Sequence, residues 1–325
     1  MQQLTYIVSG TADAQRKAEQ AKAKLDRIPH IESLLITIAA PCEIPMEKAI
    51  RMRDAVRELF PTARILAHTC ALKMADLRLD TDGVMLTITA LEASQAEFVI
   101  VEGNTSDAAA KEHFVHFVGA RPHTKVIEFF VVGLLDRIDD LFEGISAIDQ
   151  RIEVFGAFVD AVPANAHGYI IADDVTMRLG VLGIVFHGAA LDVHVVRNFG
   201  WNPLGREIVA TRVKGCTIQE LDGGTPLNIY ERYFGIKGDG DFSSDAALFP
   251  LCFEEEDGSV SARVPLNIEA ETGELTFGIP IAEGTKFRLA YGDPYSILSK
   301  AAENAREMSA FSPQAILGTA CVGHY

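Results

Sequence analysis

Two close cysteine and histidine pairs offer the chain its only evident nucleophilic chemistry: His68 with Cys70, and Cys321 with His324. On a strand, positions two apart share a face, so His68 and Cys70 could meet. A thiol and an imidazole also need a third orienting group and an oxyanion site, and the sequence displays neither. His113 and His116 stand three apart on a helical stretch, with His123 nearby, a spacing that could begin a metal site. No glutamate or cysteine completes a zinc motif there, and these read as surface or packing histidines. Asp239, Asp241 and Asp245 in GDGDFSSDA resemble a calcium loop, but Ser244 stands where the loop needs glycine and Pro250 where it needs glutamate. A solvated acidic turn is the simpler reading. The chain also lacks a Walker loop, a GxGxxG after a strand, a GxSxG elbow and an HExxH. Binding is therefore favoured over catalysis.

The single tryptophan lies in Gly200-Trp201-Asn202-Pro203-Leu204-Gly205. Its flanks, Leu191 to Phe199 and Arg206 to Lys214, alternate apolar with polar residues at the period of two that half-buried strands require. They predict a long hairpin closing around Trp201. Trp201 has two readings: a structural residue packed against a helix, or the wall of a ligand pocket with Arg197, Thr211 and Asp222 as polar contacts. His187, in the apolar run GIVFHGA, reads as a core histidine and is one to test early if haem binds. Asp222-Gly223-Gly224-Thr225 could present backbone N–H groups to an anion at a helix start, or form a plain turn and cap.

These residues need a scaffold, and the pattern supplies one. Strands at Leu4 to Val8, Leu34 to Ile38 and Ala63 to His68 alternate with helices at Ala12 to Arg27 and Met46 to Phe60, the second ended by Pro61. Strands at Val84 to Ala90 and Phe98 to Val101, a helix over 106–118 and a strand over 125–132 follow. A helix over 136–148 leads to the strand Ile152 to Phe158. The segments 46–90 and 136–186 echo one another, suggesting two related halves. Beyond them the pattern predicts a helix at Thr225 to Phe234, with Pro226 in its first turn and Gly235 stopping it. Four strands, a helix over 293–308 and a closing strand at Ser312 to Cys321 complete the chain. An α/β lobe over 1–180 and a more β-rich α+β lobe over 181–325, each with mixed sheets flanked by helices, is the expected architecture.

Composition sets further bounds. At 325 residues, 48% hydrophobic and 23% charged, the chain can build sizeable cores. A formal charge of −16 opposes a nucleic-acid partner, which needs a basic face. Five widely spaced cysteines without a CxxC read as reduced cytosolic thiols. The start of the chain has no secretory pattern, and the most apolar run, Val126 to Leu135, is short and contains Glu128. A cytoplasmic protein without membrane contact is expected.

The order of features, the apolar strand GVLGIVF, the Gly-Trp-x-Pro-Leu-Gly segment, a Thr-bearing strand and then Leu221-Asp222-Gly223, resembles FIST sensory domains. The resemblance runs from about His30 to Cys321. It places a small-residue turn at Ala67-His68-Thr69-Cys70-Ala71 and a second at Phe155-Gly156-Ala157-Phe158-Val159-Asp160, with Leu72 and Phe155 departing from glycines common in the family. The closing AILGTACVGH matches the family's terminal segment, with His324 where arginine is frequent. The resemblance implies a module that binds a small molecule, an amino acid among the candidates, and signals to an output domain in cis or a kinase in trans. Diguanylate cyclases, histidine kinases and chemotaxis transducers are the outputs it suggests. Because no tail follows the terminal strand, a sensory fragment of a longer protein is expected, with a stand-alone protein as the alternative. No cofactor is expected. The alternative is a haem-binding nitric-oxide sensor using His187, His194 or Cys216. A homodimer is compatible with the pattern. The expected ligand contacts are Thr69, Cys70, Gly156, Arg197, Trp201, Thr211 and Asp222, with the two turns and Trp201 converging on one cleft.

Overall fold

The computed structural model describes every residue except 71–72, 76–77, 81, 104, 106, 134–143, 146, 160–167, 199, 239–241, 255–259, 279 and 321–325. The described residues fall into two compact units, the first made of Met1–Leu135, Asp139–Val193 and Pro313–Val322, the second mainly of His194–Ser312. The expected helix over 136–148, the first two aspartates of the acidic turn and the Cys321/His324 pair fall wholly or largely outside the described residues.

The first unit opens with β1 (Gln2–Val8), α1 (Thr11–Leu25), β2 (Ser33–Ala40), α2 (Met46–Leu59) and β3 (Arg64–Thr69). Helix α1 buries Ala14, Ala18, Ala21 and Leu25, the spacing that gathers residues on one helical face. Pro45 precedes α2, where its missing N–H leaves no helical bond unmade. A short ribbon of β4 (Lys73–Ala75) and β5 (Arg78–Asp80) follows, then β6 (Val84–Leu91), β7 (Gln95–Glu102), α3 (Asp107–Gly119), β8 (Thr124–Val132), β9 (Glu153–Phe158), β10 (Ile170–Ala172), β11 (Val175–Met177) and β12 (Gly180–His187).

Two sheets form, ordered β1-β6-β2-β3-β10-β11 and β7-β12-β8-β9. In the first, β6 runs antiparallel between β1 and β2, and β2 pairs parallel with β3. In the second, β12 runs antiparallel between β7 and β8, and β8 pairs parallel with β9. The same topology occurs twice, matching the echo in the sequence. Helices α1 and α2 pack on the outer face of the first sheet, over Ile36, Ile38 and Ile65. The inner faces of both sheets meet through Leu35, Leu66, Phe98, Phe130, Leu182 and Ile184. On the far side, Phe114 of α3 meets Phe129 at 5.3 Å, and a side chain at Gly183 would strike the Phe114 ring. The unit is thus layered helix, sheet, sheet, helix.

The second unit contains β13 (Trp201–Lys214), β14 (Thr217–Leu221), α4 (Pro226–Phe234), α5 (Phe242–Ala247), β15 (Leu251–Glu254), β16 (Val260–Arg263), β17 (Asn267–Glu269), β18 (Glu274–Thr276), β19 (Lys286–Gly292) and α6 (Pro294–Phe311). Its seven-stranded sheet is ordered β16-β15-β19-β13-β14-β18-β17. Ile208, Ala210, Phe287 and Leu289 pack from the sheet onto Tyr230 of α4 and Phe242 of α5. This is the expected two-lobe α/β to α+β architecture.

Two local expectations change. No strand forms over 191–198, and Trp201 is the first residue of one 14-residue strand rather than the tip of a hairpin. The apolar alternation beside Trp201 belongs to irregular chain: Leu191 and Val193 pack on the core between the sheets without joining a ladder. The true hairpin is β13 to β14, turning at Gly215 (φ 59°) and Cys216. The segment 312–320 is likewise irregular rather than a strand, with Leu317 resting on the inter-sheet core.

Candidate functional site

In a parallel pair the strand carboxyl ends leave backbone groups for loops to use, and ligands of α/β sheets collect there. In this unit the ends of β3 and β9 are drawn together by Thr69. Its buried hydroxyl donates to the Val159 carbonyl (2.7 Å) and accepts from the Tyr169 N–H (3.2 Å), while its own N–H donates to the Tyr169 carbonyl (3.2 Å). The two turns marked out by the sequence therefore touch, Thr69 from one and Val159 from the other. Gly156 lies in β9 against β8, where an added Cβ would sit 2.0 Å from the Phe129 carbonyl oxygen. Its role is to let the two backbones close.

Cys70 follows Thr69 and is tied by its N–H to the Ala40 carbonyl at the end of β2 (2.8 Å). Burial pushes its thiol up to about 11, with Lys73 opposing the rise and Cys42 adding to it. Tyr169 is 1% exposed, and its hydroxyl has no hydrogen-bond partner among the described residues. Burial, then Cys42 and Cys70, holds the phenol above its ordinary range, so it is a neutral donor. Lys73 is buried close enough to act electrostatically on Cys70 and His68. The His68 ring packs on Phe130 (4.7 Å) with Nδ1 2.9 Å from the Thr69 carbonyl, and burial lowers it to about 4. On the helix-covered side of β3 the cluster holds the Thr69 hydroxyl, the protonated Cys70 thiol and the Tyr169 phenol, while the His68 ring turns to the opposite face against Phe130. The cluster can orient a small polar ligand. High thiol values and a buried imidazole make a poor nucleophile pair.

The remaining expected contacts lie in the second unit. Trp201 is half-buried at the start of β13, its ring against Gly292, with which it pairs. The Arg197 carbonyl accepts from Asn304 Nδ2 of α6 (3.1 Å). Thr211 is near the other end of β13, about 30 Å along the strand from Trp201. It donates to Glu220 (2.8 Å) across the hairpin. Asp222, at φ 50°, accepts from the Val209 N–H (2.8 Å) and pairs with Arg206 (2.7 Å), closing the turn after β14. Within this unit Trp201 and Thr211 are not brought together.

The three haem candidates stand on separate elements. His187 ends β12, with Nε2 buried without a hydrogen bond and 3.9 Å from Glu97, and burial lowers its proton affinity. His194 stacks on Phe311 (5.4 Å) with Nε2 2.8 Å from Glu307. Cys216 sits in the β13–β14 turn, its carbonyl accepting from Phe277. No group of three metal-ligating side chains occurs among the described residues.

Sequence reasoning passed over two residues. Tyr169 stands outside any motif, and only the fold shows that its hydroxyl is orphaned. Glu128 is a lone carboxylate in the run VIEFFVV, a signal legible in the sequence; it is 6% exposed on the inner face of β8 and makes no hydrogen bond or ion pair among the described residues. Burial alone pushes its carboxyl up to about 8.

No helix among the described residues is long and apolar enough to cross a membrane. No curated protein matches the chain. A family model of the FIST N domain matches residues 34–224, and one of the FIST C domain matches residues 226–325. Together they cover most of the sequence in the order expected of a sensory region of signalling proteins, and the chain belongs to the FIST family.

Proposed function

We propose that this FIST chain is a cytoplasmic input module that binds a small amino acid and passes the event to a signalling output, an enzyme or transducer in cis or a kinase in trans. The observation that carries the reading is the Tyr169 hydroxyl, a buried neutral donor without a hydrogen-bond partner among the described residues, with Cys42, Cys70, Arg178 and Glu47 near enough to act on it electrostatically. A buried phenol donor suits a carboxylate, because charge-assisted hydrogen bonds are strongest where water is excluded. Thr69 ties segments from both sheets. A ligand held at that knot binds one arrangement of the strand ends better than another and so shifts the population the output reads. Cys42, Cys70 and Cys252 stand as thiols, which suits a reducing compartment.

The test is a thermal-shift screen of the chain and its Tyr169→Phe variant against the common amino acids, their amines and haemin. A ligand at a hundredfold excess over its Kd adds about 2.7 kcal/mol. The reading requires a selective amino-acid shift that Tyr169→Phe weakens at least tenfold, with the ligand-free variant melting no lower than the parent. Silence across the amino acids, or an equal shift in both proteins, refutes it. Haem binding is the second reading, favoured by the orphaned Nε2 of His187. A Soret band that vanishes in His187→Ala would put it first.

A further inference from the structure

The inner face of the second sheet in the first unit carries a row of side chains across its strands: Phe98 on β7, Ile184 on β12, Glu128 on β8 and Phe155 on β9. Along β8 the same face continues through Val126 and Phe130. Every member but one is apolar. We propose that Glu128 anchors a second ligand site, between the two sheets, for the primary ammonium group of a small organic cation. This goes beyond the amino-acid reading, since Thr69 and Tyr169 belong to the helix-covered side of the first sheet and Glu128 to the layer between the sheets.

Three features support the assignment. An unpaired carboxyl inside an apolar layer is costly, and nothing in the local packing offsets it among the described residues. Groups that lower stability without structural return concentrate where a ligand completes them. The neighbours suit an ammonium: Phe155 is the cross-strand partner of Glu128 and Phe130 follows on the same face, and aromatic rings attract cations most strongly when desolvated. The edge of the layer lies close by, since β9 is the last strand of its sheet and Phe155 on it is only partly buried.

The charged groups around Glu128 leave its carboxylate the natural partner for an incoming cation. Glu153 of β9 is on the same face, paired with Val126, and adds negative potential. From β3, the Arg64 guanidinium is held over the Phe98 ring (4.6 Å) and by Asp173 (2.9 Å), while His68 is kept neutral on Phe130. β12 presents only Leu182, Ile184 and Phe186 to the layer, and β7 presents Ala96, Phe98 and Ile100. From β2 and β10 come Leu35, Ile170 and Ala172, and at the rim the Met1 ammonium is paired with Glu92 (2.5 Å).

The experiment is calorimetric titration of the whole chain with n-butylammonium chloride at pH 6, 7 and 8, with n-butanol as the uncharged control. The parent should bind the cation and not the alcohol, with affinity rising about tenfold from pH 6 to 7 as the ionised fraction of Glu128 grows. Glu128→Gln, which keeps the volume, should lose at least tenfold in affinity together with the pH dependence. Phe155→Leu should weaken binding a few-fold and keep the pH dependence, a result that a mere folding defect would not give. Absence of binding by the parent, equal binding by Glu128→Gln or equal binding of n-butanol overturns the proposal.

Discussion

Glu128 also makes a prediction that needs no ligand. In the folded chain its carboxyl titrates at about 8, against 4.5 ordinarily, because burial disfavours the charged form. The folded state therefore keeps a proton that the unfolded chain releases. Stability from this group is fully present below pH 4.5 and is lost as pH rises toward 8, at about 1.4 kcal/mol per pH step. By pH 7 about 3 kcal/mol has gone, so Glu128→Gln, neutral at every pH, should gain about that much at pH 7 relative to its own advantage at pH 4.5. His68 works in the opposite sense: its lowered value makes stability rise between about pH 4 and 6.5. The difference between parent and variant, not the raw curve, isolates Glu128. Denaturant unfolding from pH 4.5 to 8, with amide exchange on β8 reporting the first unit, measures it. Coincident pH slopes in the two proteins would refute the reasoning and show that Glu128 is solvated or paired in solution.

Gly156→Ala should destabilise the first unit by about 3 kcal/mol or more, because its Cβ would collide with the Phe129 carbonyl; thermal melting checks it. Thr69→Val keeps the shape but strands the Tyr169 N–H and removes the donor to Val159, for a loss of about 2 to 3 kcal/mol by urea unfolding. Asp293 accepts from the N–H groups of Tyr295 and Ser296 at the start of α6, so Asp293→Ala should lower the melting point and increase amide exchange in the first turn of that helix.

The helices and most strands were legible because their signals are local. Pro45 and Pro61 bracket α2, Pro226 and Gly235 bracket α4, and alternation marks the inner and outer faces of β13. What sequence could not show was partnership. Leu191 and Val193 alternate as a strand would, yet they serve as packing on a core built by other strands. The site was half visible: Thr69 and Cys70 were marked out by their turn, while Tyr169, 100 residues from Thr69, joins them only through the pairing of β10 with β3. Trp201 drew the eye as the only tryptophan, but its neighbours in the strand ladder, not its rarity, determine what it touches.

The long strand β13 has a mechanical consequence. Residues 201–204 and 208–209 are zipped to β19 and residues 210–214 to β14, while Gly205, Arg206 and Glu207 bulge out where the register shifts, with Gly205 at φ 75°. Three residues there span what one residue spans on the neighbour. Because β19 is paired with β13 on both sides of the bulge, it acts as a splint: a load on the Trp201 end passes to the Lys214 end through β19, while the three extra residues of β13 hold slack. The slack at residues 205–207 is the natural place to shorten if the two ends of β13 are to be locked in step, since the neighbouring strand already spans the gap.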